Sequence, residues 1–310
     1  MEALLLKLQM LIDWVFTKGS KEDKKNFFKI MKEAVKKTNE TSNEDFFNEV
    51  YNEYKSMSEN KTNFSNWFFA ISEAIGKNEL IKIPYSQVIK IPFEVWKWIR
   101  LDLHKKEEVI NFSIGIIGQI KEELKGKKLF LKSGVFSNKF EFGNCVIEPN
   151  ELNTIGIKFL NICHYCQLVN CPLSNEIVIR EFIETKSDRK SIYEGMKLNT
   201  EIRLFYDFDN SKVIGTVNYW DKVYVGNNLH NPVDEEVFKQ ESDKIENEYN
   251  EIKDILVVEV DRVLKDSKAL KGKYSIDFMY DGEKFWLIDM AEAEKSAYWE
   301  RFGERKKLNG

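Results

Sequence analysis

Apolar positions near the start of the chain recur at helical spacing. Leu4, Leu5, Leu8, Leu11, Ile12 and Val15 form one stripe, and Phe27, Phe28, Met31 and Val35 form a second after the Gly19-Ser20 break. The stretches Phe46–Tyr54 and Trp67–Ile75 predict two more helices, separated by the mostly polar Ser56–Ser65 segment. Residues 1–78 therefore read as a helical region whose stripes make a bundle core. Pro84 and Pro92 punctuate the next stretch, so 79–119 reads as a connection with a short helix at Phe93–Ile99. Glu107–Leu124 and Ile155–Leu168 carry helical apolar spacing. Pro232 followed by Asp234 marks a helix start, and Glu235–Leu264 is charged early and apolar late, which suits a helix packed on a sheet.

The pattern switches to period two elsewhere, which makes the chain α+β. Tyr274-Ser275-Ile276-Asp277-Phe278-Met279-Tyr280 and Phe285-Trp286-Leu287-Ile288-Asp289-Met290 are β-rich runs flanking Asp281-Gly282. Each run holds one Asp that packing alone would not select. A two-residue loop would send Asp277 and Asp289 to opposite faces of the hairpin; a three-residue loop, such as Asp281–Glu283, would put them on one face. Two carboxylates on one face repel unless a cation lies between them. They suit Mg²⁺, which takes a few carboxylate oxygens and completes its shell with water and phosphate. The bland alternative is one capping or ion-paired Asp and one solvent-facing Asp.

Three further segments carry polar chemistry on apolar runs. Lys128-Leu129-Phe130-Leu131-Lys132 is followed by Ser133-Gly134-Val135-Phe136-Ser137-Asn138-Lys139 and a returning run, Phe140–Ile147. Lysine at a strand end beside a small polar loop makes a phosphate clamp, although an ordinary hairpin has the same pattern. Glu176–Glu184 is an apolar strand ending in alternating charge. In Glu201-Ile202-Arg203-Leu204, the charged pair shares one strand face and the apolar pair the other. Such a pair is either a solvated ion pair or a basic group aimed at the carboxylates.

Taken in order, these segments resemble the ATP-grasp superfamily. The matching elements are the Lys132 strand and loop, the Arg180-Glu181-Phe182-Ile183 hinge, the Glu201-x-Arg203 strand, and Asp277 twelve residues before Asp289. The likeness covers roughly Ile120–Trp299. It also looks similar to the cell-division-cycle branch, which assists translation-initiation-factor assembly, and to small phage and bacterial members. The resemblance implies two α+β lobes clasping ATP, in a domain at 120–310 divided into a nucleotide-clasping lobe (120–185) and a metal-binding lobe (186–310). It implies that Lys132, Ser133, Gly134, Ser137, Asn138 and Lys139 address the phosphates. Glu181, Phe182 and Ile183 would read adenine, with Glu184 or Asp188 at the ribose. Arg203 would neutralise the γ-phosphate, with Arg203 and Lys132 as the catalytic pair. Asp277 and Asp289 would hold Mg²⁺, and because Ala291 stands where many members have Asn, either Glu292 or Glu294 would substitute or the second metal would be weakly held. The implied activity is an ADP-forming ligase that joins a carboxylate to an amine or other nucleophile through an acyl phosphate. The alternative is an ATP-binding assembly factor that engages a protein partner with little or no turnover; residues 1–78 would then be its dock. A protein or peptide is a candidate substrate.

Composition narrows the field. Lys and Arg number 47 against 51 Asp and Glu, a net charge of −4, which is no general nucleic-acid footprint. No apolar run has the length of a membrane span. Met1–Phe16 begins with Glu2 and shows no small-residue cleavage site, so it reads as helix, and the chain as cytoplasmic. His104, His164 and His230 have no triad context. Cys163, Cys166 and Cys171 cluster closely enough for a structural Zn²⁺, but on a helical apolar pattern they read as reduced core thiols.

Overall fold

A computed structural model describes residues 43–302 apart from 186, 227, 228, 230 and 269, together with the isolated residues 25 and 29. The two stripes expected between Leu4 and Val35, and His230, lie outside the described residues. Helices α1 (Asn43–Ser56) and α2 (Phe64–Ile75) follow the expected apolar spacing. In α2 the spacing puts Phe64, Trp67, Phe68, Ile71 and Ile75 on one buried face. Strands β1 (Ile81–Lys82) and β2 (Ser86–Lys90) come next, then α3 (Phe93–Leu101) and α4 (Lys106–Ile117). Helix α4 stops at Gly118, short of the expected Leu124.

Beyond β3 (Leu129–Ser133), the expected return strand Phe140–Ile147 is mostly helical. It forms a short turn and α5 (Phe142–Cys145), and only β4 (Val146–Ile147) pairs. Helix α6 (Ile155–Leu168) and β5 (Glu176–Glu181) complete the first layer. The remainder comprises β6 (Ser191–Ile192), β7 (Met196–Lys197), β8 (Glu201–Asp207), β9 (Lys212–Asn218), α7 (Lys222–Gly226), α8 (Pro232–Leu264), β10 (Lys273–Tyr280) and β11 (Phe285–Glu292). Helix α8 begins as its sequence signals: Asn231 caps it by accepting from the Val233 N–H, and Pro232 occupies its first turn.

The strands form a four-stranded sheet ordered β2-β5-β3-β4, a five-stranded sheet ordered β1-β11-β10-β8-β9, and the β6-β7 ribbon. The segment read as a plain connection gives one strand to each large sheet. Each sheet buries one face. Leu129, Leu131, Ile177 and Ile179 pack with α6 in one core; Ile202, Leu204, Ile276, Phe278 and Leu287 pack with α2 and α8 in another. The opposite faces look into a shared cleft. Among the described residues no helix is long and apolar enough to cross a membrane.

Candidate functional site

The site is built by strand alternation and one irregularity. On β10, Asp277 points away from the core that holds its neighbours Ile276 and Phe278. Tyr280 pairs with Phe285, so the turn is Asp281–Lys284, an even number of residues. A regular ladder beyond such a turn would place Asp289 on the core face. Instead the register shifts between Phe278↔Leu287 and Asp277↔Asp289, and Ile288 is the extra residue of a β-bulge. The bulge, rather than an odd loop, brings the two carboxylates opposite one another.

They are not left to repel. Arg203, directly across from Asp277 on β8, donates from Nε to Oδ1 at 2.8 Å and from Nη2 to Oδ2 at 2.7 Å. Asp289 Oδ1 lies 2.7 Å from Lys132 Nζ. Lys132 reaches it from the other sheet, because Phe130 and Lys132 alternate with the core residues Leu129 and Leu131 on β3. Lys139 Nζ forms a third pair with Glu201 Oε2 at 2.9 Å and lies 4.1 Å from the Tyr219 ring centre. Lys132 and Arg180 also stand over the Phe64 ring of α2, at 5.8 and 5.5 Å. The N-terminal helical region thus forms part of the floor of the site.

Burial and charge set the ionisation. Burial pushes the Lys132 ammonium down, against the pull of Asp289. Burial pushes the Asp289 carboxyl up, but Lys132, the Met290 N–H and Arg180 outweigh it and hold it below its ordinary value. Glu201 is raised by burial, with Lys139 opposing the rise. Arg203 is raised because Asp277 more than offsets its desolvation.

These groups line a cavity of about 600 Å³. The lining also carries an aromatic cluster, Phe130, Phe142 and Phe182, beside Ile183. There Lys128 Nζ sits 4.5 Å from the Phe182 ring centre, and Phe142 packs edge-on against Phe182. The lining suits a flat ring beside the aromatic cluster and a multiply charged group beside the ion pairs.

Most expected residues converge on this cavity: Lys132, Ser137, Lys139, Glu181, Phe182, Ile183, Glu184, Arg203, Asp277 and Asp289 all line it. Others do not. Ser133 turns inward and accepts from the Phe136 N–H. Gly134 is pressed against Asn63, Ser174 and Glu176, so it is small for packing rather than for phosphate. Asn138 is buried and donates to Glu141. Glu292 follows Ala291 onto the other strand face and pairs with Lys295. Asp188 lines a second, adjoining cavity.

Among the described residues no group of three or more His, Cys, Asp or Glu is arranged to hold a metal ion. Glu292 therefore does not complete a carboxylate trio. The thiols do not make a zinc site either: Cys163 and Cys166 are buried in the α6 core, and Cys166 donates to the Cys171 and Pro172 carbonyls at 3.5 and 3.2 Å. Asp277 and Asp289 alone still fit Mg²⁺, provided phosphate and water complete the shell.

Solved structures similar to this chain include ATP-grasp proteins. Cdc123 from Schizosaccharomyces pombe matches over 80% of this chain and 92% of its own, at 16% identity and a TM-score of 0.42. A RimK domain ATP-grasp protein from Sphaerobacter thermophilus matches over 74% and 58%, at 12% identity and a TM-score of 0.31. N5-carboxyaminoimidazole synthetase from Staphylococcus aureus, in complex with ADP, matches over 71% and 42%, at 11% identity and a TM-score of 0.29. No family model matches the chain, and no curated protein matches it in sequence. At these TM-scores no residue's role carries across.

Phe64 and Tyr219 carry no local signal, since only tertiary packing brings them under or beside the cations.

Proposed function

We propose that the cavity binds ATP with Mg²⁺ and that the protein is an ADP-forming ligase joining a carboxylate to an amine or similar nucleophile. The observation that carries this reading is the facing pair Asp277 and Asp289, each already matched with a cation in a cleft that also carries an aromatic cluster. Mg²⁺ held by the two carboxylates would neutralise charge on the phosphate oxygens. Lys132, Lys139 and Arg203 would exchange their carboxylate partners for phosphate oxygens, so the charge is preorganised before the nucleotide arrives. The Glu181–Glu184 segment would border the base, with Phe182 and Phe142 packing against its faces. A substrate carboxylate oxygen would attack the terminal phosphorus near Arg203 and release ADP, the amine would then displace phosphate from the acyl phosphate, and positioning rather than a side-chain nucleophile would do the chemistry.

The second reading is an ATP-dependent binding factor with little turnover. Ala291 favours it: a methyl group lines the cavity one strand repeat beyond Asp289, where a further oxygen ligand would otherwise help hold metal. ADP release separates the two. Release that requires both an added carboxylate and an added amine supports the ligase. Tight Mg·ATP binding with no ADP formed, across a panel of both, supports the factor.

A further inference from the structure

Arg180 is a buried guanidinium, and among the described residues no carboxylate contacts it directly. From the last rungs of β5 it crosses to the other sheet and donates Nη2 to the Leu287 carbonyl at 2.7 Å and Nη1 to the Ile288 carbonyl. Its flat face lies 5.5 Å from the Phe64 ring centre. Burial lowers it to about 10, with Asp289 and Glu181 opposing the shift. A desolvated cation whose contacts are two carbonyls and a ring is expensive, and an apolar side chain would fill the space at less cost. What those carbonyls have in common is the bulge: Leu287 is the last β11 residue in the turn-side register, and Ile288 is the inserted one.

We propose that Arg180 is a positioning residue that clamps the β11 bulge and so keeps Asp289 opposite Asp277. The planar fork of a guanidinium can hold both successive carbonyls, which a lysine ammonium cannot match. Without the clamp, the ladder can extend regularly from Leu287, pairing Ile288 with Asp277 and turning Asp289 towards the core face. One carboxylate would then leave the cleft while every functional side chain remained present. Arg180 also immediately precedes Glu181–Glu184, so the clamp ties the base-bordering segment to the carboxylate pair. The role of Asp289 itself rests on the nucleotide reading above.

The test compares wild type, Arg180→Lys, a variant lacking Ile288, and the combination of the two. Removing Ile288 deletes the inserted residue, so Asp289 follows Leu287 and faces Asp277 in a regular ladder that needs no clamp. Two readouts are taken: cross-strand NMR contacts of residue 277 in ligand-free protein, and the Mg²⁺ concentration for half-maximal ATP binding. For Arg180→Lys, contacts should move from residue 289 to residue 288, and the Mg²⁺ requirement should rise roughly tenfold to a hundredfold, as for other ligand-orienting groups. Loss of Ile288 should restore both readouts in the combined variant. A simple loss of stability would not be rescued by a deletion. Unchanged contacts and Mg²⁺ requirement in Arg180→Lys would overturn the proposal, as would failure of the deletion to rescue. Failure of the nucleotide reading looks different: the ladder moves but no protein, wild type included, responds to Mg²⁺, and the metal-positioning role falls with it.

Discussion

Replacing Asp289 with Asn should destabilise the ligand-free protein through a residue it does not delete. Lys132 is 1% exposed and has Asp289 as its close counter-charge, at 2.7 Å. Removing one partner of a buried pair costs about 3–5 kcal/mol, because the other charge stays desolvated. The Asp289 side chain is 31% exposed, so the pair is partly screened and the lower end applies, about 3 kcal/mol. At roughly 2 °C per kcal/mol for a chain of this size, melting should fall by about 6 °C at pH 7. The sign with pH is set by Lys132. Burial already lowers its folded value, and losing Asp289 lowers it further. A base with a lowered folded pKa binds more protons unfolded, so variant stability rises with pH through the window that ends at the ordinary value of 10.5. The deficit should therefore be widest near neutrality and narrow as pH approaches that value. Lys132→Met removes the buried charge itself and leaves Asp289 its water and the Met290 N–H, so it should cost less than about 1 kcal/mol. Calorimetric melting between pH 7 and 10 reads all of this. Equal stability of Asp289→Asn and wild type at pH 7, or a deficit independent of pH, would refute the reasoning.

Three other outcomes are expected. Gly134→Ala should lose about 1–3 kcal/mol in urea unfolding, because its Cβ would lie 2.7 Å from Glu176 Oε2 and 2.9 Å from Asn63 Oδ1, and closer still to Ser174 Oγ. Nucleotide affinity of the folded fraction should not change, since Gly134 does not line the cavity; a specific affinity loss would return it to the phosphate site. Lys139→Met strands the buried Glu201, whose folded pKa is already raised by burial. A raised carboxyl stabilises below its unfolded pKa and loses that contribution as pH rises, so above the ordinary value of 4.5 this variant should lose melting temperature more steeply with pH than wild type does; equal slopes would refute the pairing. Lys132→Met should weaken ATP by at least tenfold and adenosine hardly at all, measured by competition; equal losses would remove Lys132 from the phosphate end.

How legible this was depends on the range of the interaction. Local periodicity sufficed for α2, α6, α8 and the β8, β10 and β11 strands, because each buries one face. It also put Lys132, Arg203 and Asp277 on polar strand faces. It failed at Phe140–Ile147, where a short helical turn instead of a strand buries Cys145 and half-buries Phe142, since aromatic-rich runs fit either form. The Asp277–Asp289 pairing was anticipated, but through an odd-length turn. The turn is even, and the bulge at Ile288 depends on Arg180, more than a hundred residues away in sequence. No local pattern encodes such a contact. The same is true of the cations: the sequence shows two carboxylates needing an ion, while the fold supplies Lys132 and Arg203 to them first. Gly134 and Asn138 misled because small polar residues serve a tight buried turn as readily as a phosphate loop.

The central claim is that Asp277 and Asp289 form one metal-dependent nucleotide site. Isothermal titration of the protein with ATP, with Mg²⁺ and with EDTA, tests it most directly when repeated on Asp277→Asn. Saturable binding that requires Mg²⁺ and disappears in the variant, with the fold retained by circular dichroism, is the expected result. Binding indifferent to Mg²⁺, or equally tight in the variant, would contradict it.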